Sequence, residues 1–165
     1  MKNHFIKILL TCLALLTIVY FTSPYRIIVV QGNSMFPTFH NKQILIAKSI
    51  NNYEELKIND ILVCELEGNT IVKRVKFLQN QSVYYYIDSN TSEVKLIDEN
   101  TYHYLSNHPI IRNKSLIQKI IIPSNSVYLL GDNLNNSDDS RRFGTLNWNN
   151  IKYKIIYPGG HHEEK

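Results

Sequence analysis

The feature that most constrains this chain is the run "FIKILLTCLALLTIVYFT", Phe5 to Thr22, which is 18 residues long and holds one charge, Lys7. As a helix it spans about 27 Å at roughly 1.5 Å per residue, just enough for the hydrocarbon core of a bilayer. Lys7 sits near one end, where its long side chain can reach the headgroups. Lys2 and Lys7 both lie at the N-terminal end of the run, which predicts a cytoplasmic N-terminus and everything else on the outer face. A cleaved secretory signal would share the basic start and apolar middle. It would also need a small-x-small site, where "IVYFTSPY" offers bulky residues and a proline. The reading is an uncleaved anchor over 1–23, a β-rich domain over 24–158 and a polar tail over 159–165.

Beyond the anchor the chain reads as strands. Eleven tyrosines and many Ile and Val residues favour extended structure. "YRIIVVQG" reads as a buried strand ending in glycine, and "QILIAKSI", "SVYYYI", "EVKLI", "IIIPSNSVYLLGDN" and "NIKYKIIYP" supply further strands. Ile61 to Glu67 and Thr70 to Phe77 flank Gly68-Asn69, which predicts a hairpin with a two-residue turn. Ser89 to Lys114 is polar and irregular and reads as a loop or a small subsheet. No long amphipathic helix or repeat interrupts this pattern, so the fold class is mainly β, an antiparallel domain behind one N-terminal transmembrane helix.

Charge and rare residues narrow the function. The net charge is +4, with 18 basic and 14 acidic residues. Two of the basic residues belong to the anchor, so the domain is nearly balanced and no nucleic-acid partner is expected. Cys12 lies in the anchor and Cys64 in a strand, so no disulfide framework is expected. The six histidines lack zinc-ligand spacing. "GGHHEEK" reads as a solvated tail rather than a chelator, and no metal or cofactor is expected.

Three segments can carry chemistry. In "QGNSMFPTF", Gly32 allows a bend and Pro37 biases Phe36 toward extended geometry, which would present Ser34 at the end of a strand. A serine nucleophile needs such exposure, a base and oxyanion donors. In "TIVKRV", Ile71, Lys73 and Val75 share one strand face, while Val72, Arg74 and Lys76 share the more basic one. A lysine among apolar groups loses hydration, its pKa falls, and the neutral amine can take a proton from a hydroxyl. In "LLGDNLNNSDDSRRFG", Ser137 is a candidate to orient an amine, and Asp139 with Arg141 is a candidate ion pair that fixes the loop. Taken singly, each reads better as an ordinary feature: a turn serine, an edge lysine and a polar surface loop.

Together the segments resemble type I signal peptidases, the membrane-anchored serine–lysine proteases that remove signal peptides. The resemblance rests on "GNSMFPT" (32–38), "NDILV" (59–63), "IVKRV" (71–75) and "GDNLNNSDDSRRFG" (131–144), in the family's order behind an anchor. It implies that Ser34 is the nucleophile and Lys73 the general base. It implies that Ser137 orients the lysine, that Asp139 and Arg141 brace the site, and that Met35 and Pro37 shape the bend. Ile28, Val30, Met35 and Val72 are the implied lining of pockets for small substrate side chains. The implied partners are exported precursor proteins and membrane lipid. The implied location is the cell membrane, single-pass, with the catalytic domain on the extracytoplasmic side. Where some relatives have a serine that helps the oxyanion, this chain has Gly32, so the Ser34 N–H would carry most of that load.

The chain departs from the pattern at Asn59 and Asn125, where glycine is usual, and at Leu134, where a basic residue is common. The largest departure follows Lys73, where "KRVKFLQNQ" replaces a Gly-x-Pro-Gly-Asp turn. Asparagine tolerates positive φ, so the first two changes are mild. Only 57 residues separate Lys73 from Gly131, which implies a compact member. The alternatives are a non-catalytic factor that binds exported or pilus precursors and, less consistent with an anchor, a self-cleaving Ser–Lys repressor.

Overall fold

In the computed structural model, residues 2–88, 90–108 and 115–158 are described. The tail over 159–165, with "GGHHEEK", and part of the expected loop over 89–114 lie outside the described residues. Helix α1, Lys2–Thr22, is followed after two residues by strand β1, Tyr25–Val29. Its stretch His4–Thr22 is long and apolar enough to cross a membrane, and none of that stretch is buried against the protein. Strands β2 (Ile44–Ser49), β3 (Ile61–Leu66), β4 (Asn69–Phe77), β5 (Ser82–Asp88) and β6 (Val94–Ile97) follow. Then come helix α2 (Glu99–Asn107) and strands β7 (Ser115–Ile121), β8 (Ser126–Leu130), β9 (Leu146–Asn147) and β10 (Ile151–Tyr157).

The strands form a seven-stranded sheet in the order β1-β2-β10-β3-β4-β8-β9 and a three-stranded sheet β6-β5-β7, with every pairing antiparallel. A mainly antiparallel β domain behind one apolar helix is what the sequence predicts. The hairpin also forms, one residue earlier than expected. Leu66 pairs with Asn69, and the turn residues are Glu67 and Gly68, with φ of 50° and 79°. Two positive φ values in succession match the right-handed twist of the flanking strands.

β1 departs from its reading as a buried strand. It is an edge strand, and Ile27 and Val29 are 74% and 53% exposed. They lie opposite Ile46 and Ile44 of β2, so one face of this edge is an open aliphatic patch. The alternate residues, Ile28 and Val30, turn inward and pack with Met35, Phe39, Leu45, Ala47, Ile61, Val63 and Ile155. A second cluster, built on Leu62, Cys64, Val75, Val127 and Leu129, lies around the β3–β4–β8 strands.

After β4 the chain turns without glycine or proline. Asn80 supplies the positive φ, at 65°. Gln81 Oε1 accepts the Leu78 N–H at 2.7 Å, and the Tyr53 hydroxyl accepts the Gln79 N–H at 2.8 Å while donating to the Ser126 carbonyl. Side chains thus satisfy the backbone donors of a turn that lacks the usual breaker residues. Helix α2 was not expected. Asp98 caps it, accepting from Thr101 N and Oγ1 at 2.9 and 2.6 Å, but none of its residues is fully buried. A helix without a buried face leaves no apolar periodicity to read.

Candidate active site

Ser34 lies in a turn over 33–36 closed by a bond from Phe36 N–H to the Asn33 carbonyl, 3.1 Å. Gly32, with φ of 85°, makes the bend that leads into it, and its N–H donates to Asn41 Oδ1. The Phe36–Pro37 bond is cis. Met35 and Phe39, each 1% exposed, drop from this turn into the core. Burying two such side chains stabilises by about 1.5–3 kcal/mol each, so the turn is anchored after the half-buried serine, as buried Val30 anchors the chain before it.

Lys73 comes from β4, directly opposite Leu62 of β3. It is only 4% exposed. Its Nζ is 2.8 Å from Ser34 Oγ and 3.1 Å from the Val72 carbonyl oxygen. Burial holds its pKa below the usual lysine value. The carboxylates of Asp139, Asp138 and Asp132 oppose that shift and do not overcome it. Cys64, a nearby thiol, is fully buried, and desolvation pushes its pKa up to about 12, so it stays a protonated, inert thiol.

The long loop after β8 closes over this pair. Gly131 N–H donates to Asp139 Oδ2 at 3.1 Å, and Ser140 Oγ accepts from Leu129 N–H at 2.9 Å, so the loop doubles back onto its own strand. Asp139 is fully buried and takes two bonds from Arg141, Nε to Oδ1 and Nη2 to Oδ2, both 2.9 Å. Burial opposes its ionisation, but the bonds from Arg141 and Gly131 outweigh that and hold its pKa below the ordinary aspartate value. Arg141 also donates to the Leu134 carbonyl at 2.6 Å, so the guanidinium ties both halves of the loop together. Ser137 Oγ is buried, is not bonded to Lys73, and lies near enough to the Asp139 carboxylate to help hold that pKa down. It packs against Gly131 so closely that a Cβ there would stand 2.1 Å from it.

One pair escaped the sequence reading. The sequence places Arg74 on the more basic face of β4 and names no partner for it. Arg74 is 6% exposed and donates through Nε and Nη2 to Asp132, at 2.8 and 2.6 Å. Asp132 Oδ2 also accepts from Thr38 Oγ1 at 2.5 Å, and Arg74 Nη1 reaches the Asn59 carbonyl at 3.0 Å. The cluster joins the strand of Lys73, the turn of Ser34 and the 131–144 loop. Strand alternation places Arg74 opposite Lys73 in facing, but it cannot say that a distant aspartate covers that face. Asn59 and Asn125 do adopt positive φ, 73° and 53°.

A cleft of about 440 Å³ opens beside Ser34 and Lys73. Ile28, Val30, Met35 and Val72 line it together with Gln31, Ile71 and the hairpin tip Gly68–Thr70. β1 and β4 are separated by three strands in the sheet order, yet both form its walls, because a twisted sheet coils its edge back. β1 pairs only with β2, and β4 meets β8 only from Arg74 onward, so both walls present unpaired strand edges to the cleft. Among the described residues no group of three His, Cys, Asp or Glu could hold a metal ion.

A serine hydroxyl against a buried lysine, beside a cleft walled by two open strand edges, is what known relatives can be compared with. Residues 2–158 match the family described as signal peptidase, peptidase S26. Signal peptidase I S of Bacillus subtilis (strain 168) is 30% identical over 142 residues, covering 78% of this chain and 71% of its own. The mitochondrial ATP-independent inner membrane protease subunit 1b of Arabidopsis thaliana is 28% identical, and the match spans 64% of its length and 76% of this chain. A protein named inactive signal peptidase IA, from Staphylococcus aureus (strain MRSA252), is 26% identical over 88% of this chain and 86% of its own. A crystal structure of a signal peptidase I from Enterococcus faecalis V583 aligns at a TM-score of 0.41 and 22% identity, covering 66% of this chain and 99% of that one. With the family matched over nearly the whole chain, from α1 through β10, this protein belongs to the signal peptidases of the peptidase S26 family.

Proposed function

We propose that the protein is a membrane-anchored serine endopeptidase that removes signal peptides from exported precursors, with Ser34 as nucleophile and Lys73 as general base. The observation that carries this is the 2.8 Å approach of Lys73 Nζ to Ser34 Oγ by a lysine that is almost wholly buried. Neutral Lys73 takes the hydroxyl proton as Ser34 attacks the scissile carbonyl. The Ser34 N–H receives the developing oxyanion. Lys73 returns the proton to the leaving amine, and a water that it then deprotonates hydrolyses the ester. Asp139 and Arg141 brace the loop, and Ser137 orients the amine.

The precursor adds as an extended strand between the open edges of β1 and β4. From Asn69 to Lys73 is about 13 Å of strand at roughly 3.3 Å per residue, enough to pair with about four residues before the cut. Ile28, Val30, Met35 and Val72 form shallow apolar pockets that admit small side chains and exclude large ones. The aliphatic face of Ile27, Val29, Ile44 and Ile46, joined to the anchor by two residues, would rest on the outer membrane surface. The catalytic domain is therefore extracytoplasmic.

The test is cleavage of a model precursor with an Ala-x-Ala site by the full-length protein in lipid vesicles, alongside Ser34→Ala and Lys73→Ala. Cleavage by the wild type alone is expected. The S. aureus relative's name, inactive signal peptidase IA, motivates the second reading, a factor that binds precursors without cutting them. Precursor binding without cleavage by the wild type would establish that reading instead.

A further inference from the structure

We propose that the side-chain amide of Asn133 positions the Ser34 N–H as the oxyanion donor; this rests on the endopeptidase reading above. Two consecutive residues of the 131–144 loop hold the two halves of the site. Asp132 holds Arg74, the neighbour of Lys73 on β4. Asn133 holds the nucleophile turn through both of its nitrogens. Its backbone N–H donates to the Ser34 carbonyl at 2.9 Å, and its Nδ2 donates to the Asn33 carbonyl at 3.1 Å.

The second bond sets the direction of the donor. The Asn33–Ser34 peptide is trans, so its N–H points opposite to its carbonyl. Fixing the Asn33 oxygen from the Asn133 side therefore fixes the Ser34 N–H on the other side. No hydrogen bond among the described residues uses that N–H. The turn's own bond from Phe36 N–H also reaches the Asn33 oxygen, but it moves with the turn and cannot register the peptide against Lys73. Asn133 can, because its neighbour is locked to the lysine's strand. Two donors on one carbonyl also polarise the peptide and strengthen its N–H as a donor. Gly32 has no side chain to share the oxyanion, so the aim of this single N–H weighs more heavily. Asn133 is a positioning residue, since it touches neither the substrate nor the reacting oxygen.

The test compares the full-length wild type in vesicles with Asn133→Asp and Asn133→Ala. Aspartate keeps the shape but loses the donor. Alanine removes the amide without adding charge, and both keep the backbone bond to Ser34. The expected result is a fall in kcat of about 10- to 100-fold, somewhat below the loss of a whole oxyanion donor, with KM unchanged. A peptide aldehyde adds an independent readout. Ser34 Oγ adds to its carbon, the hydroxyl proton passes to Lys73, and the former carbonyl oxygen becomes the oxyanion. Its affinity should weaken by the same factor as kcat, while the matching peptide alcohol, which cannot form the adduct, binds equally well to all three proteins.

Unchanged kcat, or equal weakening of aldehyde and alcohol, would overturn the assignment and leave only a structural role. If the wild type itself cuts no precursor, the endopeptidase reading fails separately. The positioning claim is then judged on the Ser34 amide resonance, which must shift or broaden in both variants to survive.

Discussion

Substituting alanine for Gly131 tests how closely the loop and the nucleophile turn are fitted. Gly131 does not have a positive φ, so the backbone itself permits a side chain. The obstacle is steric. A Cβ would lie 2.1 Å from Ser137 Oγ, 2.5 Å from Ser137 Cβ and 2.6 Å from the Ser34 carbonyl oxygen. Each is roughly 1 Å or more inside ordinary contact distance. The Ser137 hydroxyl can rotate away, but its Cβ cannot, and the Ser34 carbonyl is held by Asn133 N–H. The loop must therefore lift, at an overpacking cost of about 1–3 kcal/mol. A displacement of about 1 Å at the nucleophile costs on the order of 100-fold in rate. Denaturant unfolding in detergent reads the first quantity, and kcat/KM on the precursor reads the second. Adding Ser137→Gly removes two of the three clashes and leaves Ser34, so stability should partly recover while activity stays low. A Gly131→Ala protein with wild-type stability and kcat/KM would refute this account of the packing.

Asp132→Ala should destabilise the fold by about 3–5 kcal/mol, because it leaves the Arg74 guanidinium buried without its carboxylate; the unfolding midpoint measures this. Because burial lowers the Lys73 pKa, kcat/KM should rise with pH along a limb whose midpoint lies below 10.5, and a midpoint at or above 10.5 would exclude a buried neutral base. The same shift means that the unfolded chain binds the Lys73 proton more tightly, so stability should rise as pH climbs from the lowered pKa toward 10.5. Lys73→Met should abolish that rise and raise the melting temperature at neutral pH. Asp139 has linkage of the same sign, in the acid range. Its lowered pKa gives stability that is present above about 3.8 and lost as pH falls through the folded value, so Asp139→Asn should flatten the acid limb of a stability–pH curve.

Local pattern was enough for the apolar N-terminal helix, the antiparallel β class, the hairpin that carries Lys73 and the turn that carries Ser34. Each is written in contiguous residues: an apolar run of bilayer length, period-two strands, and Glu-Gly-Asn and Gly-Asn-Ser bends. The candidate ion pair of Asp139 with Arg141 was legible for the same reason, since its partners are two residues apart. Only the tertiary structure decided what depends on residues far apart in the chain. Strand alternation puts Arg74 on the more basic face, but its partner Asp132 lies 58 residues away. The bond from the Asn133 amide joins it to Asn33, 100 residues away, which no local pattern announces. β1 looked buried because local hydrophobicity cannot tell a sheet interior from an exposed apolar edge, and α2 has no fully buried residue. The cleft itself exists only because the twisted sheet brings β1 back against β4. Short-range sterics and patterning specify the elements, but which strand edges stay open and which charges meet is set by long-range packing, where the partner cannot be read from the neighbours.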